Sequence, residues 1–238
     1  IETLENLMSF GIDGLISFMH RSSDESILGF ADRFGPLLLI NREYDQLPDH
    51  LNLTRLCVDH KKGAMLAVQH LIELGHKHIA KLGHDSRNDL PPLQATGRTL
   101  GYWEALDQAG IDRDPKILVS REETLEGGYE GAKYILTYYP DVTAIFAYND
   151  LMALGALKAC QDLNISVPND ISIVGYDDIK FSSMVTPALT TVSLDKYKMG
   201  QAAFRRVHNL IEDRNSEREV IVFEPTLVVR DSTGPVRT

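Results

Sequence analysis

Short apolar runs of strand length take turns along this chain with longer runs whose apolar residues recur every three to four positions. Positions 12–16, 36–41, 53–58, 78–82, 117–120, 143–147 and 171–175 read as strands. Residues 36–41 (PLLLIN) and 171–175 (ISIVG) are apolar on both faces, as expected of a sheet covered by helices on either side. Helices are predicted over 25–34, 61–74, 92–109, 125–138, 150–163 and 196–211. Gly75 and Gly110 stand where two of these helices should stop. Residues 189–194 (LTTVSL) read as an extended connector between lobes, and 219–229 as one or two terminal strands. Such alternation argues for an α/β fold whose parallel sheets are built from right-handed crossovers, with roughly nine strands in one sheet or two.

A length of 238 residues fits one large domain or two small lobes with separate cores. No apolar run approaches the roughly 18 residues of a membrane span, and no signal peptide is visible at the start, so a membrane role is not expected. Cys57 and Cys160 lie far apart in apolar-patterned segments, which favours two buried thiols over a disulfide, and hence the cytoplasm. The net charge is −10. The densest basic pairs, Lys61-Lys62 and Arg205-Arg206, read as solvated helix faces. By its own charge this polypeptide should repel a phosphate backbone.

Ligands of open α/β sheets bind beyond the carboxyl ends of the strands. Four such ends carry polar groups here. After strand 78–82 comes 83–89, followed by Arg98 in the next helix; Arg98 reads either as a surface arginine paired with an acid or as a ligand clamp. Asn149 and Asp150 either cap the following helix or face a ligand. Asp177 and Asp178 follow a buried strand as turn residues, and are not spaced as a glycosidase pair. Asp59 and His60 read as a helix cap. His76 and His78 make no metal site without a third partner. There is no dinucleotide or P-loop glycine pattern and no nucleophile elbow, so no cofactor and no catalytic residues are indicated. These features describe an α/β binding protein.

Three stretches together resemble the lactose/galactose repressor family. Arg98 with 101–106 (GYWEAL) is similar to R-x-x-G-[YF]-x-x-A-L, and 144–156 (AIFAYNDLMALGA) to A-[IV]-x-x-x-N-D-x-M-A-x-G-A. Residues 167–178 (VPNDISIVGYDD), then 187–192 (PALTTV), are similar to V-P-x-D-[IV]-[AS]-[IV]-[VI]-G-[FY]-D-[DN] and P-x-L-T-T-[VI]. Residues 70–76 (HLIELGH) and 230–233 (RDST) add to the match.

The resemblance implies a two-lobed, periplasmic-binding-protein-like core of type I, each lobe a parallel sheet flanked by helices. One lobe would be 1–82 plus 193–214 and the other 83–192 plus 215–238. A helix-turn-helix headpiece, and the core's first strand, helix and second strand, would lie outside these residues. A small effector, a sugar by family habit, would sit in the cleft between lobes and alter the affinity of a homodimer for operator DNA. Arg98 matches the effector clamp, Asp177 the carboxylate that accepts effector hydroxyls, and Asn149 a polar contact. Glu123 stands where many relatives carry a stacking aromatic, and Gln94 and Leu194 at variable specificity positions; Tyr44 is another candidate stacking surface. Leu151, Leu154, Lys158 and Phe181 fall on the family's dimer surface. Two rivals remain: a periplasmic sugar-binding protein of a transporter, and a sugar-processing enzyme.

Overall fold

A computed structural model describes residues 6, 10–18, 27, 29, 31–32, 35–41, 53–83, 96–213 and 220–237. The chain divides into two compact units, residues 1–58 with 195–223 and residues 59–194 with 224–238.

The first unit holds a four-stranded parallel sheet. β1 (Leu15–Ser17), β2 (Leu37–Ile40), β3 (Leu53–Val58) and β9 (Ile221–Phe223) stand in that order. β2 is buried along its whole length, as its unbroken apolar run requires. The helix Lys196–Glu212, here α5, lays Met199, Ala203, Val207 and Leu210 inward. These positions recur every three to four residues, so one face buries while Lys196, Lys198 and Arg205 stay wet. Gly14 leads into β1 because a Cβ there would stand 2.7 Å from Val207 Cγ1.

The second unit holds six strands, β4 (Ile79–Leu82), β5 (Leu118–Val119), β6 (Ala144–Ala147), β7 (Ser172–Asp177), β8 (Thr190–Ser193) and β10 (Thr226–Val228). Their order is β10-β8-β7-β6-β4-β5, parallel except for β10, which runs antiparallel to β8. One face carries α3 (Leu125–Tyr138) and α4 (Asp150–Asp162), with Leu82, Ile135, Ile145, Met152, Ala156 and Ile173 in the core between. α1 (His60–Glu73) and α2 (Gly97–Gln108) pack together. Tyr102 of α2 is buried and donates to Ile79 O at 2.7 Å. Both helix pairs meet at glycine: a Cβ on Gly101 would sit 2.1 Å from Lys61 O, and one on Gly155 2.1 Å from Leu125 O.

Several expectations change. Residues 189–194 are not a connector: β8 sits within the sheet, pairing with β7 and β10, because the Thr190–Val192 backbone needs ladder partners once buried. The terminal segment yields two strands, one in each sheet. The unit boundaries fall at 58/59, 194/195 and 223/224 and not at 82/83, 192/193 and 214/215. β4 pairs with β5 and β6, and α1 packs on α2, which carries 59–82 into the second unit. Helix α2 starts at Gly97 and not at 92, since the Thr96 side chain accepts from Thr99 N and caps it there. Asp59 caps α1 as expected, accepting from Lys62 N at 2.8 Å. Both cysteines are free thiols; Cys160 is buried, which pushes it up to about 12, whereas Cys57 is only half-buried, on the wetter side of β3. No described helix is long and apolar enough to cross a membrane.

His76 belongs to the scaffold. Its Nδ1 contacts Thr143 Oγ1 at 2.9 Å, and its Nε2 contacts Ser172 Oγ and Gly234 O, each at 3.0 Å. Nearby, His70 Nε2 meets Thr233 Oγ1 at 2.9 Å. The two imidazoles thus fasten the C-terminal segment to the sheet.

Candidate functional site

The polar groups singled out in the sequence gather where β4, β6 and β7 of the second unit end. β6 runs into Tyr148 and Asn149, β7 ends in Asp177, and Arg98 arrives from the first turn of α2. Gly83 follows β4 at φ +131°, and a Cβ there would lie 2.2 Å from Tyr148 Cβ. Glycine at 83 is therefore what admits a tyrosine at 148.

Arg98 and Asp177 come together. Arg98 Nη2 stands 3.4 Å from Asp177 Oδ1, with the two side chains 12% and 29% exposed. That is longer than the roughly 2.7–2.9 Å of a strong charge-assisted bond. Arg98 Nε is buried and has no hydrogen-bond partner among the described residues. The guanidinium carbon lies over two rings, 4.3 Å from the Tyr148 centroid and 4.1 Å from that of Tyr176. Arg98 is thus neither a free surface arginine nor a fully hydrogen-bonded one.

The turn after β7 is backbone-strained and well anchored. Asp177 and Asp178 take φ values of 104° and 48°, in the left-handed region that favours glycine. Asp178 Oδ1 accepts from Arg230 Nη2 at 2.7 Å, and Arg230 Nη1 donates to Leu189 O at 2.8 Å. Asp150 holds the next residues. It is fully buried, and its Oδ2 accepts from Ile179 N (2.8 Å) and Ser182 Oγ (2.7 Å). Its Oδ1 accepts from Thr191 Oγ1 at 2.5 Å. Burial holds its pKa above the ordinary carboxylate value, although these three donors oppose the rise. Asp150 therefore builds the site without facing it.

Asn149 does cap α4: its Oδ1 accepts from Met152 N at 2.9 Å, while its Nδ2 reaches Glu123 O at 3.5 Å. The Glu123 side chain is exposed beside this contact. Gln94 and Tyr44 lie outside the described residues. Leu194, the last residue of that segment of the second unit, is buried. Of the dimer-surface candidates, Leu151, Leu154 and Lys158 share one face of α4. Leu151 is 44% exposed, Leu154 half-buried, and Lys158 exposed and paired with Asp162. Phe181 is 61% exposed in a single helical turn, Lys180–Ser183.

Sequence reasoning missed Tyr148, Tyr176 and Lys81. Lys81 is fully buried in β4, its Nζ 5.8 Å from the Tyr148 centroid. A lysine inside an otherwise apolar strand was the available signal. Burial raises the pKa of the Tyr148 phenol; the Arg98 cation opposes that rise, and Glu123 and Asp177 add to it. Burial likewise raises the Tyr176 phenol, whose oxygen meets His60 Nδ1 at 3.1 Å.

A parallel sheet flanked by helices, with an arginine and a carboxylate at its strand ends, has the architecture of a periplasmic-binding-protein-like domain, and comparison with known proteins agrees. The family model described as periplasmic binding protein-like domain matches residues 68–233. The chain is 33% identical over 230 residues to the HTH-type transcriptional repressor PurR of Pectobacterium atrosepticum, covering 95% of this chain and 65% of that protein. It is 30% identical to the ribose operon repressor of Haemophilus influenzae, covering 97% and 67%. A LacI-family transcriptional regulator from Enterococcus faecium, solved with bound ribose, superposes with a TM-score of 0.88 at 28% identity, covering 100% of this chain and 85% of that one. This chain belongs to the lactose/galactose repressor (LacI) family. It spans about 65% of the length of the Pectobacterium repressor.

Proposed function

We propose that this chain is the effector-binding and dimerisation core of a LacI-family transcription regulator, and that a small polar molecule, a sugar or sugar derivative, docks at the Arg98–Asp177 edge. The observation that carries this reading is Arg98, whose buried Nε has no hydrogen-bond partner among the described residues and whose Nη2 makes a long contact with Asp177. A buried donor without an acceptor costs about 1–3 kcal/mol, and an effector oxygen in its place removes that cost. Arg98 donates and Asp177 accepts, a combination that suits adjacent sugar hydroxyls. Asn149 adds its Nδ2, the Oδ1 being taken by the helix cap; Glu123 flanks the ligand. The ribose-bound Enterococcus regulator and the Haemophilus ribose repressor favour a sugar.

The two compact units act as the two lobes. An effector that prefers one conformation of the core shifts the population toward it. A coupling of about 1–3 kcal/mol changes operator affinity by about 5–150-fold. The helix-turn-helix of the full-length regulator touches the DNA, consistent with a core of net charge −10. Two copies pair through Leu151, Leu154, Lys158 and Phe181. The protein works in the cytoplasm and turns over no substrate. The relatives are named repressors, which favours a regulator over a transporter component.

Isothermal titration with D-ribose, then with other sugars, sugar phosphates and nucleobases, tests the site. A hydrogen bond to a charged group contributes about 1.5–3 kcal/mol, so Arg98→Met or Asp177→Ala should weaken the molecule that binds by about 10–150-fold. Native affinity in both variants would remove this edge from the binding site.

A further inference from the structure

We infer that Tyr148 and Tyr176 are the positioning residues of Arg98: the two tyrosines lie against the guanidinium, set its place and leave its buried Nε for an arriving acceptor. The functional meaning rests on the reading of this edge as the effector site; the geometry does not.

The only charged contact of Arg98 among the described residues is the 3.4 Å approach to Asp177. That is too long and too one-sided to set the orientation of a planar fork, which takes two parallel bonds. The rings at 4.3 and 4.1 Å are better placed. A guanidinium is weakly hydrated and stacks readily on aromatic faces. Tyr176 lies within β7 and Tyr148 just beyond the end of β6, its parallel neighbour, so both tyrosines stand at the same end of two adjacent strands.

Both rings are themselves held. Tyr176 is buried, its oxygen meets His60 Nδ1 at 3.1 Å, and a Cβ on Gly63 would stand 2.4 Å from that oxygen. Tyr148 sits against Gly83, where no side chain fits, and the Lys81 ammonium lies 5.8 Å from its centroid. The rings cover part of the guanidinium, and its buried Nε, without a hydrogen-bond partner among the described residues, is left for an acceptor. The arrangement therefore suits a molecule offering acceptor oxygens, such as paired hydroxyls, a carboxylate or a phosphate.

The clamp can be read without any ligand, from the Arg98 Nε–Hε resonance of the 15N-labelled 238-residue chain, assigned by its disappearance in Arg98→Met. In the native chain this proton should be displaced upfield by the two ring currents. It should also exchange with water roughly tenfold or more slowly than exposed arginines, as burial dictates. Tyr148→Leu should return the shift to the bulk arginine cluster and release the exchange, while Tyr148→Phe should keep both. A native resonance lying in the bulk cluster would overturn the inference even if Tyr148→Leu failed to fold. So would a folded Tyr148→Leu that retains the native signature, or a Tyr148→Phe that loses it. If the signature behaves as expected but Arg98→Met binds sugar as the native chain does, the clamp stands and the effector-site reading fails alone.

Discussion

Asp150 offers a sharp test of how the site is built. Replacing it with alanine removes a buried carboxylate that accepts from Ile179 N, Ser182 Oγ and Thr191 Oγ1. Ser182 and Thr191 are fully buried, so water does not take over. The two hydroxyls can rotate toward other acceptors, but the Ile179 N–H cannot. Stranding it, and losing two bonds to a charged group, should cost roughly 4 kcal/mol. For a domain of this size that lowers Tm by roughly 8–16 °C. Asp150→Asn should be much milder. Its oxygen can face Ile179 N and Ser182 while its amide donates to the Thr191 hydroxyl, leaving a loss of about 1 kcal/mol. Thermal melts followed by circular dichroism separate the two. An alanine variant melting within about 3 °C of the native chain, or an asparagine variant as damaged as the alanine, would refute the assignment of Asp150 as the anchor of the Asp177–Asp178 turn.

Three further outcomes are expected. Burial, the main cause, holds His76 and His70 below the ordinary value of 6.5, so the unfolded chain binds more protons than the folded one as acid is added. Stability should be full above pH 6.5 and fall below it by up to about 1.4 kcal/mol per pH unit for each group until the folded pKa is passed; urea melts at pH 7.5 and 5.5 should show it, and a pH slope undiminished in His76→Gln would exonerate that residue. Gly155→Ala places a methyl 2.1 Å from Leu125 O, so α3 and α4 must separate; a loss of about 1–3 kcal/mol is expected in denaturant titration. Phe181→Glu puts a charge in the proposed subunit contact, and sedimentation should report a dimer for the native chain and a monomer for the variant; a variant that still pairs would move the interface elsewhere.

Much of this architecture was legible because burial on both faces writes unbroken apolar runs. β2 and β7 could be placed from Leu37–Ile40 and 171–175 with no other information. The β8 strand was not, since LTTVSL carries three hydroxyls in six residues and reads as half polar. Its threonines are buried because partners far along the chain satisfy them: Thr191 by Asp150, and Thr190 by Arg230 N and Ser232 Oγ. Such pairings have no sequence period. The unit boundary at 58/59 was missed for a similar reason, since the strand 79–82 has the same pattern whichever sheet takes it. At the site, the resemblance supplied Arg98 and Asp177, and folding put them side by side. Asn149 kept both meanings until its Oδ1 was found on Met152 N. The tyrosines stayed hidden because a stacked ring leaves no spacing to recognise, only the glycines at 63 and 83 that make room for it.

The order in which a ribosome delivers these strands matters. β3 ends at Val58, but its neighbour β9 begins only at Ile221, and β8 waits for β10 at Thr226–Val228. Neither sheet can close until almost the whole described chain has emerged. During translation, then, two half-built sheets stand with open edges at the same time, a state in which a nascent chain is exposed to mispairing and in need of chaperone cover. A stop codon anywhere between β8 and β9 would leave both units unfinished together, so nonsense changes across that long stretch should be equally null.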